Sequence, residues 1–279
     1  MHQPNLAFWE DLARIHGATP GPGYYDMDAL ADGRSALRDI ELDGLAVAVG
    51  GSVSGLRVAH VQSHIGIDSI HLARLGAEVT AFDFSTTALG RLHGIAQRCG
   101  VQVRTVHADS REIELPDFAE EHGRYDLVYA TIGVLSWIDD LDAWMRGAAA
   151  LLRPGGRLLL IEIHPLLSMI DTVDPLVIDF PYRNDGVRLF TGTGSYADPN
   201  ADVSWAVEEH AWSIGEVVSA AIRAGLRIER LEEQVDSPSD PRGGMLACED
   251  DGRYRLRLAG PQSEPLPLLY TLIAAASER

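Results

Sequence analysis

Glu162 and His164 stand two residues apart at the end of an apolar run, Leu158-Leu159-Leu160-Ile161-Glu162-Ile163-His164-Pro165. In an extended strand such residues project to the same side. An acid and an imidazole would then meet at a sheet edge, where His164, oriented by Glu162, could take a proton from an acidic nucleophile. A histidine before proline is also read as a hydrogen-bonded corner, and Glu162 as an organiser of loops. Two further acids close apolar runs: Asp83 after Val79-Thr80-Ala81-Phe82, and Asp109 after Val106-His107-Ala108. Ligands of open parallel sheets sit at the carboxyl ends of strands, and an acid there suits the hydroxyls of a ribose. The chemistry on offer is nucleoside binding beside a proton acceptor.

The elements that must position these groups start with Leu56–Phe84, which reads strand, tight loop around Gly66, helix, strand. Val58–Val61 is the first strand; Ile67, Ile70 and Leu75 are spaced for a helix that Gly76 closes. The loop Gln62-Ser63-His64-Ile65-Gly66-Ile67 keeps one glycine where a dinucleotide fingerprint needs three, which disfavours a nicotinamide oxidoreductase. S-adenosylmethionine carries no phosphate, so a loop with side chains at the other two positions can still hold it. Here the stretch resembles the first motif of the class I S-adenosylmethionine-dependent methyltransferases. The similarity is to a subgroup with an H-x-Q-x-H-x-G-x-D pattern, filled by His60, Gln62, His64, Gly66 and Asp68.

The resemblance covers Leu56–Pro165 and implies an α/β, Rossmann-like fold. Its sheet would have seven strands, mostly parallel, with the last strand antiparallel between the fifth and sixth. It implies S-adenosyl-L-methionine as cofactor, S-adenosyl-L-homocysteine as product and no metal. It further implies a cofactor site of Tyr25, Gln62, His64, Gly66, Asp83, Phe84, Asp109, Ser110 and Thr131. Within it Asp83 would hold the ribose, Asp109 the adenine amino group and Ser110 a backbone contact to the ring. Asp109 alternatively serves as a helix or turn cap. Tyr24 and Tyr25 would cap the methyl group or pack a small N-terminal unit, with the Tyr24 hydroxyl completing a proton relay to His164. Trp137, after the Tyr125–Thr131 strand, is a substrate wall or a core residue.

The 279 residues and 46% hydrophobic content suit one domain. We expect an N-terminal cap over 1–50, a cofactor-binding core over 56–165, a lid over 166–211 and the rest of the sheet over 212–279. In the cap, Phe8, Leu12 and Ile15 have helical spacing, and Thr19-Pro20-Gly21-Pro22-Gly23 ends the helix. Ser85 is placed to cap a helix carrying Ala88, Leu92, Ile95 and Ala96. Leu141, Trp144, Met145 and Ala148 mark another, which Arg153-Pro154-Gly155-Gly156 turns into the fifth strand, Arg157–Ile163. In the lid, Leu176–Phe180 and Val187–Phe190 flank Asn184-Asp185-Gly186, a hairpin signal. Tyr182 and Tyr196 there would touch substrate, or a second copy if the insertion forms a homodimer contact. Leu226–Leu231, Tyr254–Leu258 and Leu266–Ile273 are the remaining expected strands.

A net charge of −18, with all 23 basic residues arginine, repels phosphodiester backbones and disfavours nucleic acid. Cys99 and Cys248 form no metal pattern. No run is long and uncharged enough for a bilayer, and no basic leader precedes the first acids, so the chain is expected to be soluble and cytoplasmic. The expected activity is methylation of a small molecule, as in natural-product tailoring. The specific expectation is C-methylation of an indole, such as C3 of a tryptophan-derived cyclic dipeptide. O- or N-methylation of another metabolite, or binding of the cofactor without transfer, are the alternatives.

Overall fold

The computed structural model describes residues 3–18, 24–240, 244–256 and 265–278. Its centre is a sheet of β1 (Arg57–Val61), β2 (Glu78–Asp83), β3 (Arg104–His107), β4 (Tyr125–Thr131), β5 (Leu152–Ile163), β6 (Arg227–Gln234) and β7 (Leu269–Ala275). The order is β6-β7-β5-β4-β1-β2-β3, with β7 antiparallel to both neighbours and the other pairings parallel. This is a Rossmann-like α/β fold. The reversal between β1–β2 and β4 opens a crevice above the carboxyl end of β1, the position at which such sheets bind ligands.

Helices cover both faces. On one lie α3 (Asp39–Val49), α4 (Ile67–Arg74) and α5 (Thr86–Arg98), whose Leu45, Ala48, Leu72 and Leu92 are buried. On the other lie α6 (Leu141–Leu151) and α7 (Ile214–Arg223), sealed around Trp144, Met145 and Val217. Helix α3, inside the segment expected as cap, packs on the sheet: a Cβ at Gly44 would lie 3.1 Å from the Leu159 side chain. Over the crevice, α1 (Gln3–Ile15) and the short α2 (Met27–Ala31) form the N-terminal cover.

Several boundaries differ from the sequence expectation for local reasons. Leu75, expected on the buried face of α4, follows the last helical residue and is 43% exposed. The fifth strand starts at Leu152 rather than Arg157, because Gly156 brings the backbone against β4; a Cβ there would lie 2.7 Å from the Tyr125 carbonyl oxygen. Expected positions 257 and 258 of the Tyr254–Leu258 strand, and the Thr19–Gly23 helix stop, lie outside the described residues.

The insertion after β5 is antiparallel, but the expected pairing is corrected. Leu176–Ile178 pairs with Ile170–Val173, and Arg188–Thr193 pairs with Ser204–Glu209. The turn at Asn184-Asp185-Gly186 forms, with the Gly186 N–H donating to Asn184 Oδ1 at 3.2 Å. It joins no hairpin, because the Asp179 and Phe180 N–H groups are already held by the Met169 carbonyl and Pro181 has no N–H to offer.

Candidate active site

The first motif is held in a conformation its side chains do not favour. Gln62 and His64 have φ of 59° and 49°, and Gly66 has 70°. Three backbone bonds fix the loop: Ser63 N–H to the Phe82 carbonyl (3.1 Å), Gly66 N–H to the Ser63 carbonyl (2.9 Å), and His64 N–H to Asp83 Oδ2 (2.7 Å). Asp83 Oδ1 accepts from the Ser85 N–H at 2.8 Å, so one carboxylate ties the loop to the start of α5. Burial pushes the Asp83 pKa up to about 6, opposed by those two N–H donors. Non-glycine residues held at positive φ mark a loop whose shape is imposed for use. Buried Ser63 Oγ in the same loop has no partner.

Beside this loop lies a shallow cleft lined by Asn5, Gln62, Phe84, Asp109, Ser110, Arg111 and Trp137 among others. Five of these (Gln62, Phe84, Asp109, Ser110 and Trp137) were expected around a nucleoside or its substrate. Gln62 is locked as a wall: its amide donates to the Val134 carbonyl (3.0 Å) and accepts from the Trp144 indole (2.7 Å). Asp109 is clasped by the Arg111 guanidinium, which keeps its carboxyl below the usual range, and Arg111 also reaches Asp139. Asp109 therefore faces the cleft as a carboxylate. A cleft edged by an acid, a hydroxyl and an aromatic side has the chemistry that an adenosine needs. The orphaned Ser63 hydroxyl and the α4 N-terminus beyond Gly66 fit its polar tail.

The cap and the insertion close over the other side of the loop together. Asn5 exchanges two hydrogen bonds with the backbone of Glu208 (2.8 and 2.9 Å). His16, 1% exposed, contacts His64 Nε2 through Nδ1 (2.8 Å) and Ser195 Oγ through Nε2 (3.2 Å). The Tyr25 and Tyr196 hydroxyls meet at 2.5 Å. Trp137 packs against Phe8 and Trp9, so it is wall and packing residue at once. Burial drives the His16 pKa down to about 3, with Arg91 adding to it, and holds His64 well below its ordinary value. Asp68 receives hydrogen bonds from Tyr129 and Thr131 (3.3 Å each), and burial raises its pKa.

The expected proton relay does not assemble. Glu162 spends its carboxylate on the Gly133, Leu135 and Ile163 N–H groups (2.7, 2.8 and 2.6 Å) and does not bond to His164. His164 Nδ1 accepts from the Leu166 N–H (3.1 Å), so Nε2 carries the proton and donates to Glu233 at 2.8 Å. With both ring nitrogens engaged and the side chain 2% exposed, His164 has the geometry of a structural corner. Tyr24, 48% exposed, touches Tyr25 and Tyr196 and lies in neither set of His164 contacts. Tyr182 is half-buried on the insertion, near Tyr270, whose phenol burial holds well above its ordinary pKa. Sequence reading missed Asn5, His16, Arg111 and Glu233, each placed by contacts to distant segments, and gave Asp68 no task.

Residues 60–158 match a family model described as a methyltransferase domain. Among curated relatives, the ubiquinone biosynthesis O-methyltransferase of Xanthomonas oryzae pv. oryzae is 33% identical over 144 residues, 50% of this chain and 56% of that protein. The match thus spans little more than half the length of such relatives. Of solved structures, an S-adenosylmethionine-dependent methyltransferase from Mesorhizobium loti aligns with TM-score 0.53 at 19% identity, over 88% of this chain and 99% of its own. The CcbJ methyltransferase of Streptomyces caelestis aligns with TM-score 0.56 at 16% identity, over 96% and 98%. At such identities the structural likeness speaks for the fold, and the residues that match the family model lie where the sheet builds the cleft.

Proposed function

We propose that the protein is a methyltransferase that uses S-adenosylmethionine to methylate a small aromatic molecule on oxygen. The observation that carries this is the cleft itself, where Gln62, Phe84, Asp109 and Ser110 converge beside the Asp83-bound loop. The bound sulfonium would supply the electrophilic methyl group. The chain's own contribution is position: alignment of reactants can supply about 7–11 kcal/mol of a barrier. Asp83 holds the ribose side, Asp109 and Ser110 the base, and the loop at 62–66 the polar tail. Tyr25, Tyr196 and Trp9 exclude water above it.

The name of the curated relatives supports oxygen as the acceptor atom. The narrower expectation of C3 of an indole draws no support from them. Calorimetric titration with S-adenosylmethionine, S-adenosylhomocysteine and NAD tests the cofactor. Micromolar binding of the first two and none of the third is the expected result, and silence from both sulfur nucleosides would sink the reading. Consumption of S-adenosylmethionine only when a phenol is added would separate transfer from binding alone.

A further inference from the structure

His64 ends a chain of hydrogen bonds that starts in the insertion and crosses the N-terminal cover. Ser195 Oγ meets His16 Nε2 at 3.2 Å, and His16 Nδ1 meets His64 Nε2 at 2.8 Å. The far end of the chain sets its direction. Ser195 Oγ already accepts from the Ala197 and Asp198 N–H groups, at 3.2 and 3.0 Å, which uses both lone pairs of a hydroxyl. Its proton therefore goes to His16 Nε2. The buried, neutral His16 ring then carries its own proton on Nδ1 and donates it to His64 Nε2, which leaves the His64 proton on Nδ1.

Both rings are held where this chain needs them. Arg91, from α5, donates to the Ala13, Arg14 and His16 carbonyls at 2.8 Å each and so fixes the chain at the end of α1. Trp9 packs edge-on against the His64 ring, with centroids 5.1 Å apart. Half-buried His64 makes no hydrogen bond through Nδ1 among the described residues, and the buried Ser63 hydroxyl beside it has none either. Two adjacent donors of the loop are thus open to a ligand. The same loop leads at Gly66 into the N-terminus of α4, which favours an anion.

We propose that Ser195 and His16 are positioning residues that keep His64 in the Nδ1–H form, a donor for the carboxylate of an amino-acid tail. The proposal rests on S-adenosylmethionine as cofactor. The opposite tautomer would present a lone pair to that carboxylate and repel it. A loop of glycines offers a tail its backbone N–H groups alone. Here a side chain adds a donor, and a residue of the insertion decides where its proton sits. Tail binding therefore depends on the insertion's contact with the cover, and a nucleoside without the tail is indifferent to that contact.

The test joins nitrogen NMR of the histidine rings with titration of S-adenosylhomocysteine and of 5′-methylthioadenosine, which carries the same nucleoside without the amino-acid tail. In the parent protein His16 and His64 should both read as Nδ1–H. His16→Phe should release His64 into the Nε2–H form or a mixture of the two. It should also weaken S-adenosylhomocysteine about tenfold, the range of one hydrogen bond to a charged group. Unchanged 5′-methylthioadenosine affinity in that variant reports a folded site. His16→Gln, whose amide can donate to His64 Nε2, should restore tautomer and affinity together. Ser195→Ala should give mixed tautomers at His16. An Nε2–H His64 in the parent, a His64 tautomer unmoved by His16→Phe, or a His16 tautomer unmoved by Ser195→Ala would overturn the proposal. So would S-adenosylhomocysteine affinity that is undiminished in His16→Phe, or an equal loss of both ligands. If neither nucleoside binds the parent, the cofactor reading falls and takes the tail with it, whereas the chain from Ser195 to His64 stands or falls by the NMR alone.

Discussion

Asp83 at the end of β2 and Glu162 at the end of β5 are buried carboxylates that both receive backbone N–H groups, yet they organise different kinds of structure. Asp83 joins residues close in sequence, the loop at 62–66 and the start of α5. Glu162 holds the turn after β4, and its neighbours His164 and Tyr270 depend on β6 and β7. The staple at Asp83 thus stays within one strand–helix unit, whereas the cover over its loop and the opposite edge are both held by long-range contacts. Strand-end acids in this sheet are staples first, and what separates them is whether a cleft lies beside the staple.

The comparison breaks most easily at Gly66. Its φ of 70° and a would-be Cβ 2.1 Å from Leu92 Cδ1 leave no room for a side chain. Gly66→Ala should cost about 2–5 kcal/mol, combining left-handed strain and overpacking, read as a lower urea midpoint. A variant as stable as the parent would mean the loop is not packed this way. Next in size, Asp83→Asn should weaken S-adenosylhomocysteine binding by about 1.5–3 kcal/mol, the worth of a charged hydrogen bond. Calorimetry reads it, and unchanged affinity would remove Asp83 from the site.

His164→Ala sharpens the contrast at the other edge. It should cost about 1–3 kcal/mol of stability by leaving the Leu166 N–H unmet, with turnover nearly preserved. A loss of about 10²–10⁴ in turnover without loss of stability, the usual signature of a missing base, would reinstate the proton-acceptor role.

The smallest effect concerns pH. Burial holds His16 and His60 at about 3 and His64 well below its ordinary value, whereas an unfolded histidine titrates near about 6.5. The stability they give as neutral rings is complete above about 6.5 and is lost as pH falls toward about 3, at up to about 1.4 kcal/mol per unit for each. Asp83, raised to about 6, acts in the opposite sense: its contribution falls as pH rises from about 4 to 6. Urea midpoints at neutral and mildly acidic pH should therefore fall with acid, and His16→Asn should flatten the slope by about one proton. An unchanged slope in that variant would mean that His16 is protonated in the folded protein.

What was legible in the sequence follows the same division. Asp83, Gly66 and the strands from Leu56 to Ile163 were readable because periodicity, glycine and caps act within a few residues. The cap of α5 at Ser85 was equally local, its Oγ accepting from the Ala88 N–H at 3.0 Å. The insertion's pairing was not, because Pro181 and the Met169 carbonyl decide it and the Asn184-Asp185-Gly186 turn does not. The His164 partner lies 69 residues away, and the two partners of His16 lie 48 and 179 residues away. No spacing rule spans such intervals, so Glu162 was the nearer and mistaken choice.

Strand β7 carries a kinetic consequence. It is buried along its whole length and lies between β5 and β6, although it is the last sheet strand in the chain. During synthesis β1 to β5 can condense as a parallel half, but β6 has no neighbour to pair with until β7 emerges. At about 5–20 residues per second that leaves the β5 edge unpaired for many seconds on the ribosome. The Leu158–Ile161 edge is then a sticky surface for other nascent chains, and the finished protein conceals it entirely.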